Sequence, residues 1–305
     1  MNEESIFCCP RCLGPVAQQR CQECERRLPS VAGILTLAHG DSLERIRRES
    51  AAELFLRHRG APPARILEAL DRDGLEKSPL ASDWRFFAPP ALAGSALVLE
   101  AGWGDASLGL CPYVQGRIWA GFTDAALARL AAMRFQEAGA PITPFLFDGR
   151  RLPLRPGSAS LLVVHQPQAI FLGERCPLTT FAESLIPGGL LYLEERNRYA
   201  LGRLLGDDTL GNGRGLFSVL GRTREIRAAG FRIVRRLARL PGLASPRVQF
   251  DLDDRDAVQH YLARPFPEKG RPRSFWRMER LLSRGGLYSW VVPSFGILAR
   301  KHGVS

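Results

Sequence analysis

The sequence predicts an α/β fold in which seven mostly parallel strands form a sheet covered by helices on both faces, with a small metal-held ribbon at the N-terminus. Three observations carry this. From Ser95 onward, short apolar runs alternate with helical patterns, as expected of parallel strands joined by crossover helices. The stretch Ala96 to Leu108 reads A-L-V-L-E-A-G-W-G-D-A-S-L, a strand, an acid, a glycine turn and a helix start. Five of the seven cysteines fall in the first 24 residues.

The ribbon comes first. Cys9-x-x-Cys12 and Cys21-x-x-Cys24 are two knuckles separated by eight residues. Four thiolates on two tight turns can surround one tetrahedral zinc, which compensates for a core too small to fold alone. A disulfide pair and an iron–sulfur cluster are the rival uses of such a set. Cys8 abuts the first knuckle and is either a bystander or an alternative ligand. We expect the ribbon to span residues 1–38, a helical linker or lid 39–92 and the α/β domain 93–305, with an insertion around 239–286. In the linker, Ser42 to His58 has apolar residues at helical spacing behind a capping serine, and a second helix is expected after Pro62-Pro63. Trp84 to Pro90 is an aromatic, proline-punctuated connector that either lids a ligand or packs on the sheet.

In the α/β domain, Ala96 to Leu99 is the first strand, closed by Glu100. Gly102 and Gly104 permit a sharp turn and a ligand's close approach to the backbone, and Asp105-Ala106-Ser107 opens a helix whose dipole favours an anionic group. Arg117 to Gly121 reads as strand two, followed by a helix from a Thr123 cap through Gln136. Ile142 to Phe147 is strand three, Leu161 to His165 strand four, and Leu190 to Glu194 strand five, after a Pro187-Gly188-Gly189 turn. Arg222 to Ala229 is a helix, Phe231 to Leu237 a strand, and Tyr288 to Ala299 the last strand.

Glu100-Ala101-Gly102-Trp103-Gly104 resembles the first motif of class I S-adenosylmethionine (SAM)-dependent methyltransferases. Further matches follow in order: Phe147-Asp148-Gly149-Arg150-Arg151-Leu152-Pro153-Leu154, then Pro156 to Val164, then Leu185-Ile186-Pro187-Gly188-Gly189-Leu190-Leu191. The resemblance covers Ser95 to Val234 and implies a Rossmann-like methyltransferase sheet with SAM as cofactor. It places Glu100 near the methionine end of SAM, Gly102 and Gly104 against its backbone-facing side, and Asp148 at the adenine amino group. The acid that usually ends strand two and accepts the ribose hydroxyls is missing: Gly121 stands there. Asp124 comes three residues later, inside the helix's first turn, and Ala106 replaces the usual third glycine. The segment Leu28 to Leu37 resembles the end of zinc ribbons fused to, or partnering, methyltransferases.

His165 and Gln166 follow strand four, where the acceptor pocket lies in such enzymes; His165 is the candidate base for a hydroxyl or amine acceptor. The Asn-Pro-Pro-Tyr pattern of amino-group methylation is absent, since the chain has His165-Gln166-Pro167-Gln168. Glu194, Glu195, Asn197 and Arg198 are either substrate contacts or a solvated turn. Asn197 to Leu201 with Gly211 loosely resembles methyltransferases of glycan and secondary-metabolite clusters, which points to a small-molecule or glycan-type acceptor.

Composition bounds the remaining classes. Hydrophobic content of 45% and charged content of 24% are those of a soluble globular protein. No apolar run approaches the roughly 18 residues of a membrane span, and the acidic start has no signal-peptide pattern, so the expected location is cytoplasmic. Net charge is +11, concentrated in residues 196–305, which hold 22 Lys and Arg against 9 Asp and Glu. That imbalance keeps an rRNA or tRNA methyltransferase as the alternative reading. The absent ribose acid keeps a non-catalytic scaffold as another.

Overall fold

The computed structural model describes residues 6–31, 33–38, 41–46, 84–85, 88, 92–100, 102–150, 152–171, 176–201, 217–240, 248–263, 277–278, 281–282 and 287–303. The expected second linker helix, most of the Ser42–His58 helix beyond its helical residues 41–46, and Gly211 lie outside them.

Among the described residues, ten strands make one sheet. The first half comprises β3 (Ser30–Val31), β4 (Ile34–Thr36), β5 (Ala96–Leu99), β6 (Ile118–Phe122) and β7 (Ile142–Leu146); the second comprises β8 (Ala159–His165), β9 (Leu185–Arg196), β10 (Phe231–Leu240), β11 (Val248–Asp251) and β12 (Ser294–Lys301). Their order is β11-β10-β12-β9-β8-β5-β6-β7-β4-β3, while β1 (Val16–Ala17) and β2 (Arg20–Cys21) form a separate hairpin. Strands β4 to β9 pair in parallel, and β12 enters antiparallel between β9 and β10. The seven expected strands are therefore β5 to β10 and β12, and they form the Rossmann-like, mostly parallel α/β sheet expected from the sequence.

Burial explains the apolar runs. Alternate residues of β5 enter opposite cores: Leu97 and Leu99 pack with Leu162, Val164 and Leu191, while Ala96 and Val98 pack with Leu161, Val163 and Tyr192. A strand covered on both faces has no position left for a polar residue, so its pattern is continuous rather than alternating. The ribbon shares the first of these cores through Phe7, Cys9, Val16 and Cys21. Phe7 meets the Trp119 ring edge-on at 5.1 Å and Phe145 at 4.6 Å. The backbone joins as well, since β4 pairs in parallel with β7 and Cys8 N donates to Pro153 O at 2.8 Å.

Several boundaries differ from expectation for local reasons. The helix after β6 is α2 (Ala125–Glu137), following α1 (Asp105–Leu110). Its cap is Asp124, whose carboxylate accepts from the N–H groups of Ala126 and Leu127, not Thr123. The expected last strand starts later than Tyr288: its first residues form a short helix, Tyr288–Val291, and β12 begins only after Pro293, because proline offers no N–H to a ladder. The Pro187-Gly188-Gly189 turn lies within β9 as an irregularity: Ala159 pairs with Leu185 and Leu161 with Leu190. The expected insertion contributes β11, antiparallel to β10, and a helix over Arg255–Ala263. No helix among the described residues is long and apolar enough to cross a membrane.

Candidate functional site

The chain leaves β5 for β6 on one side, while β8 lies on the other. Strand order reverses there, the position at which open α/β sheets generally bind their ligands. The glycine turn stands at this point. Gly104 has φ +85°, and a Cβ on it would lie 2.6 Å from the Phe135 ring, so this glycine serves the fold. A Cβ on Gly102 would meet nothing within 4 Å, so Gly102 leaves open space over the backbone. Arg134, from α2, fixes the turn: Nη1 donates to Trp103 O and Nη2 to Asp105 Oδ1, both at 2.7 Å. Nothing in sequence spacing links Arg134 to the turn.

Glu100 is buried, and its Oε1 accepts from both the N–H and the hydroxyl of Ser107, at 2.8 and 2.7 Å. Burial pushes its pKa up, against the pull of His165 and of those hydrogen bonds. Across the sheet Leu99 pairs with Val164, which makes Glu100 and His165 neighbours at the strand ends.

His165 is buried and bonded through Nδ1 to Glu194 Oε1 at 2.5 Å. Glu194 Oε2 accepts from the Tyr192 hydroxyl at 3.1 Å and pairs with Arg239 at 2.9 Å. Burial alone would raise the Glu194 pKa, but Arg239 and His165 outweigh it and hold the carboxylate below its ordinary value. Burial would likewise lower His165, but the carboxylates of Glu194 and Glu100 hold it above the histidine value. Trp84 stacks on Tyr192 at 4.2 Å, so the connector packs on the sheet here. Beside this network Glu195 pairs with Arg222; burial exceeds that attraction and raises the Glu195 carboxyl to about 7.

These contacts decide one alternative left open by the sequence. Glu194, Glu195 and Asn197 are buried, not a solvated turn. The Asn197 amide donates to the carbonyls of Trp290 and Val292, both at 2.8 Å, tying β9 to the chain before β12. Arg239, within the basic 196–305 region, sits inside the protein.

Asp148 follows β7 and accepts from Arg150 N at 2.9 Å, closing a local turn. It also lines a cleft of about 690 Å³ whose walls include Pro10 and Leu13 from the first knuckle. Gly121 lies within β6, opposite Leu99 and Phe145. A Cβ there would be 2.5 Å from Phe145 Cζ and 2.8 Å from Leu99 Cδ2, so this place has no room for an acid.

The Sγ atoms of Cys9, Cys12, Cys21 and Cys24 all lie within 4.8 Å of one another. Cys9 and Cys24 are 3.8 Å apart, and Cys12 and Cys21 3.3 Å. A tetrahedral zinc with bonds of about 2.3 Å needs sulfurs about 3.8 Å apart, so this donor set fits one ion. The backbone N–H of Cys24 donates to Cys21 Sγ at 3.4 Å and lowers that thiol to about 7. Cys8 is buried and outside the cluster.

No protein-family model and no curated protein matches the sequence. Among solved structures the chain is similar to a [4+2]-cyclase, SpnF, at 17% identity and TM-score 0.47, over 73% of this chain and 80% of that one. It is also similar to a phosphoethanolamine N-methyltransferase of Haemonchus contortus bound to SAM, at 14% identity and TM-score 0.48, over 74% of this chain and 53% of that one. A Haloferax volcanii complex of the Trm112 methyltransferase activator with a protein named there as a methyltransferase matches at 14% identity and TM-score 0.48, over 78% of this chain and 96% of that one.

Proposed function

We propose that the chain transfers a methyl group from SAM to a small-molecule or glycan-type acceptor, and that Cys9, Cys12, Cys21 and Cys24 hold one structural zinc. The observation that carries the reading is the glycine turn at the switch point, which follows the buried Glu100 and where Gly102 leaves open space over the backbone. The bound donor supplies a methyl carbon already activated by its sulfonium sulfur. The protein's task is then to hold donor and acceptor close, aligned and dry. Glu100 favours the donor's ammonium, Gly102 admits it to the backbone, and Gly104 sets the turn. Asp148 stands at the adenine end, and His165 takes the acceptor's proton.

The residues fit the methionine end of the donor, but not an acid for its ribose, since Phe145 and Leu99 fill the space at Gly121. Hydrogen bonds lost to two hydroxyls cost about 1–3 kcal/mol, a roughly tenfold to hundredfold loss of affinity. Calorimetric titration with SAM and S-adenosylhomocysteine tests the reading: the expected result is binding in roughly the micromolar range. No heat of binding at millimolar ligand overturns it.

The filled space at Gly121 favours a second reading, a non-catalytic scaffold with this fold, and the same titration separates the two. RNA as substrate draws less support, because Arg239 is buried and Arg235 and Arg236 pair with Asp251 and Asp253.

A further inference from the structure

One buried group at the site has hydrogen-bonding capacity to spare. Nε2 of His165 is buried without a partner, although the ring is fixed at its other nitrogen. An ionised carboxylate only accepts, so Nδ1 keeps its proton toward Glu194 whatever the charge of the ring. Glu194 is in turn held by the Tyr192 hydroxyl and by Arg239, which also donates to that hydroxyl at 3.1 Å. Any proton this network gains or loses therefore sits on Nε2. The charged and titratable groups acting on the ring are Glu194 and Tyr192 from β9, Arg239 from β10 and Glu100 after β5, with Asp105 of α1 acting on Glu100. Glu194 pairs with both the Arg239 guanidinium and the His165 ring, whose raised pKa favours the imidazolium at rest.

We propose that Glu100 and His165 form a proton switch positioned by Glu194, in which His165 gives up its Nε2 proton when a cationic donor occupies Glu100. This rests on the methyl-transfer reading above. The donor carries an ammonium, a sulfonium and one carboxylate, a net charge of +1; its ammonium at Glu100 offsets the carboxylate that helps hold the imidazolium, and its net positive charge adds repulsion in a poorly screened site. Loss of the Nε2 proton to solvent relieves both, and leaves a lone pair. During transfer the acceptor's lone pair bonds to the methyl carbon and the carbon–sulfur pair stays on sulfur. The acceptor's proton moves to Nε2, restoring the imidazolium between Glu194 and Glu100. The base is thus free only while donor is present.

The test is a SAM titration by calorimetry at neutral pH in buffers of different ionisation enthalpy, with ¹⁵N NMR of the His165 ring alongside. The wild type is expected to release about one proton per chain on binding, by linkage. Glu194→Gln, which no longer holds the ring charged, binds SAM with release near zero. If that variant does not fold, His165→Asn takes its place and loses the release in the same way. By NMR the wild-type Nδ1 stays protonated throughout, while Nε2 passes from protonated to bare on saturation. SAM binding without proton release, or an Nε2 unchanged at saturation, overturns the switch and leaves the methyl-transfer reading standing. No SAM binding at all removes that reading and the switch with it.

Discussion

The two halves of the sheet on either side of β5 are built by opposite means. On the β6–β7 side the interior is aromatic: Phe7 packs on Trp119 and Phe145, and Phe147 lies 6.0 Å from Phe145. Gly121 gives its side-chain space to Phe145, and the Cys9–Cys24 cluster holds the segment carrying Phe7. On the β8–β10 side the interior holds ions, His165 with Glu194 and Arg239, and Glu195 with Arg222. The difference bears on the proposed site. A half filled by aromatic rings has no place for the acid that usually meets ribose, whereas the ionic half keeps a buried nitrogen unmet. It also means that the halves fail differently, one on loss of metal and the other with pH.

Metal removal is the largest expected effect and falls on the aromatic half. Structural zinc contributes about 10–16 kcal/mol in small zinc domains, and here the ribbon has little else of its own. Elemental analysis should find one zinc per chain, lost in Cys12→Ser and kept in Cys8→Ser, since Cys8 lies outside the cluster. Loss of the ion should free Phe7, change the fluorescence of Trp119 and lower the melting temperature. Equal metal loss in the two variants would contradict a Cys9, Cys12, Cys21 and Cys24 site.

On the ionic half, Glu194→Ala leaves Arg239 buried without its carboxylate. Such an uncompensated charge costs about 3–5 kcal/mol in denaturant unfolding. Replacing Glu194 and Arg239 together by Leu and Met should recover most of that loss. If the double variant is as unstable as the single one, packing and not charge governs this half.

The sequence made the two halves unequally legible. The strands are legible from apolar runs, and the thiol cluster from its spacing, because both signals are local. The Gly102–Gly104 turn was equally plain, but the different duties of its two glycines depend on Phe135, some thirty positions further along the chain. The ionic half is not legible locally, for the same reason. Glu194-Glu195 at a strand end and Arg239 in an arginine-rich run look solvated until β12 sets β9 and β10 on either side of itself. Only the tertiary pairing of Glu194 with Arg239 and of Glu195 with Arg222 shows why these charges are inside.

The pH dependence should belong to the ionic half, and its sign follows from the shifts. The Glu195 carboxyl is raised from 4.5 to about 7 in the folded chain, so the unfolded chain ionises first. Stability is then lost as pH rises from about 4.5 to 7, and the raised His165 adds further loss above the ordinary histidine value. Glu194, held low, acts oppositely, and its contribution fades only as pH falls through its depressed value. Melting temperatures should decline from mildly acid to neutral pH, and Glu195→Gln should flatten that decline. An unchanged slope in the variant would remove Glu195 from the account.

The smallest effect on stability is expected where the halves meet, at the glycine turn, and there the effect on binding is the most telling. Gly104→Val cannot report on the ligand, because its Cβ would lie 2.6 Å from the Phe135 ring at a backbone φ of +85° and so disturb the fold. Gly121→Asp would likewise collide with Phe145 and should not improve binding. Gly102 has neither constraint, since a Cβ there meets nothing within 4 Å. Gly102→Val should therefore change unfolding free energy by only about 0.5 kcal/mol, as for surface substitutions generally. If SAM lies over this turn, the same substitution fills the space and lowers affinity by at least about a hundredfold, a loss of nearly 3 kcal/mol. A variant that melts with the wild type yet no longer binds SAM places the donor between the two halves. Undiminished binding in Gly102→Val would move the donor elsewhere and leave the open space at the turn without a role.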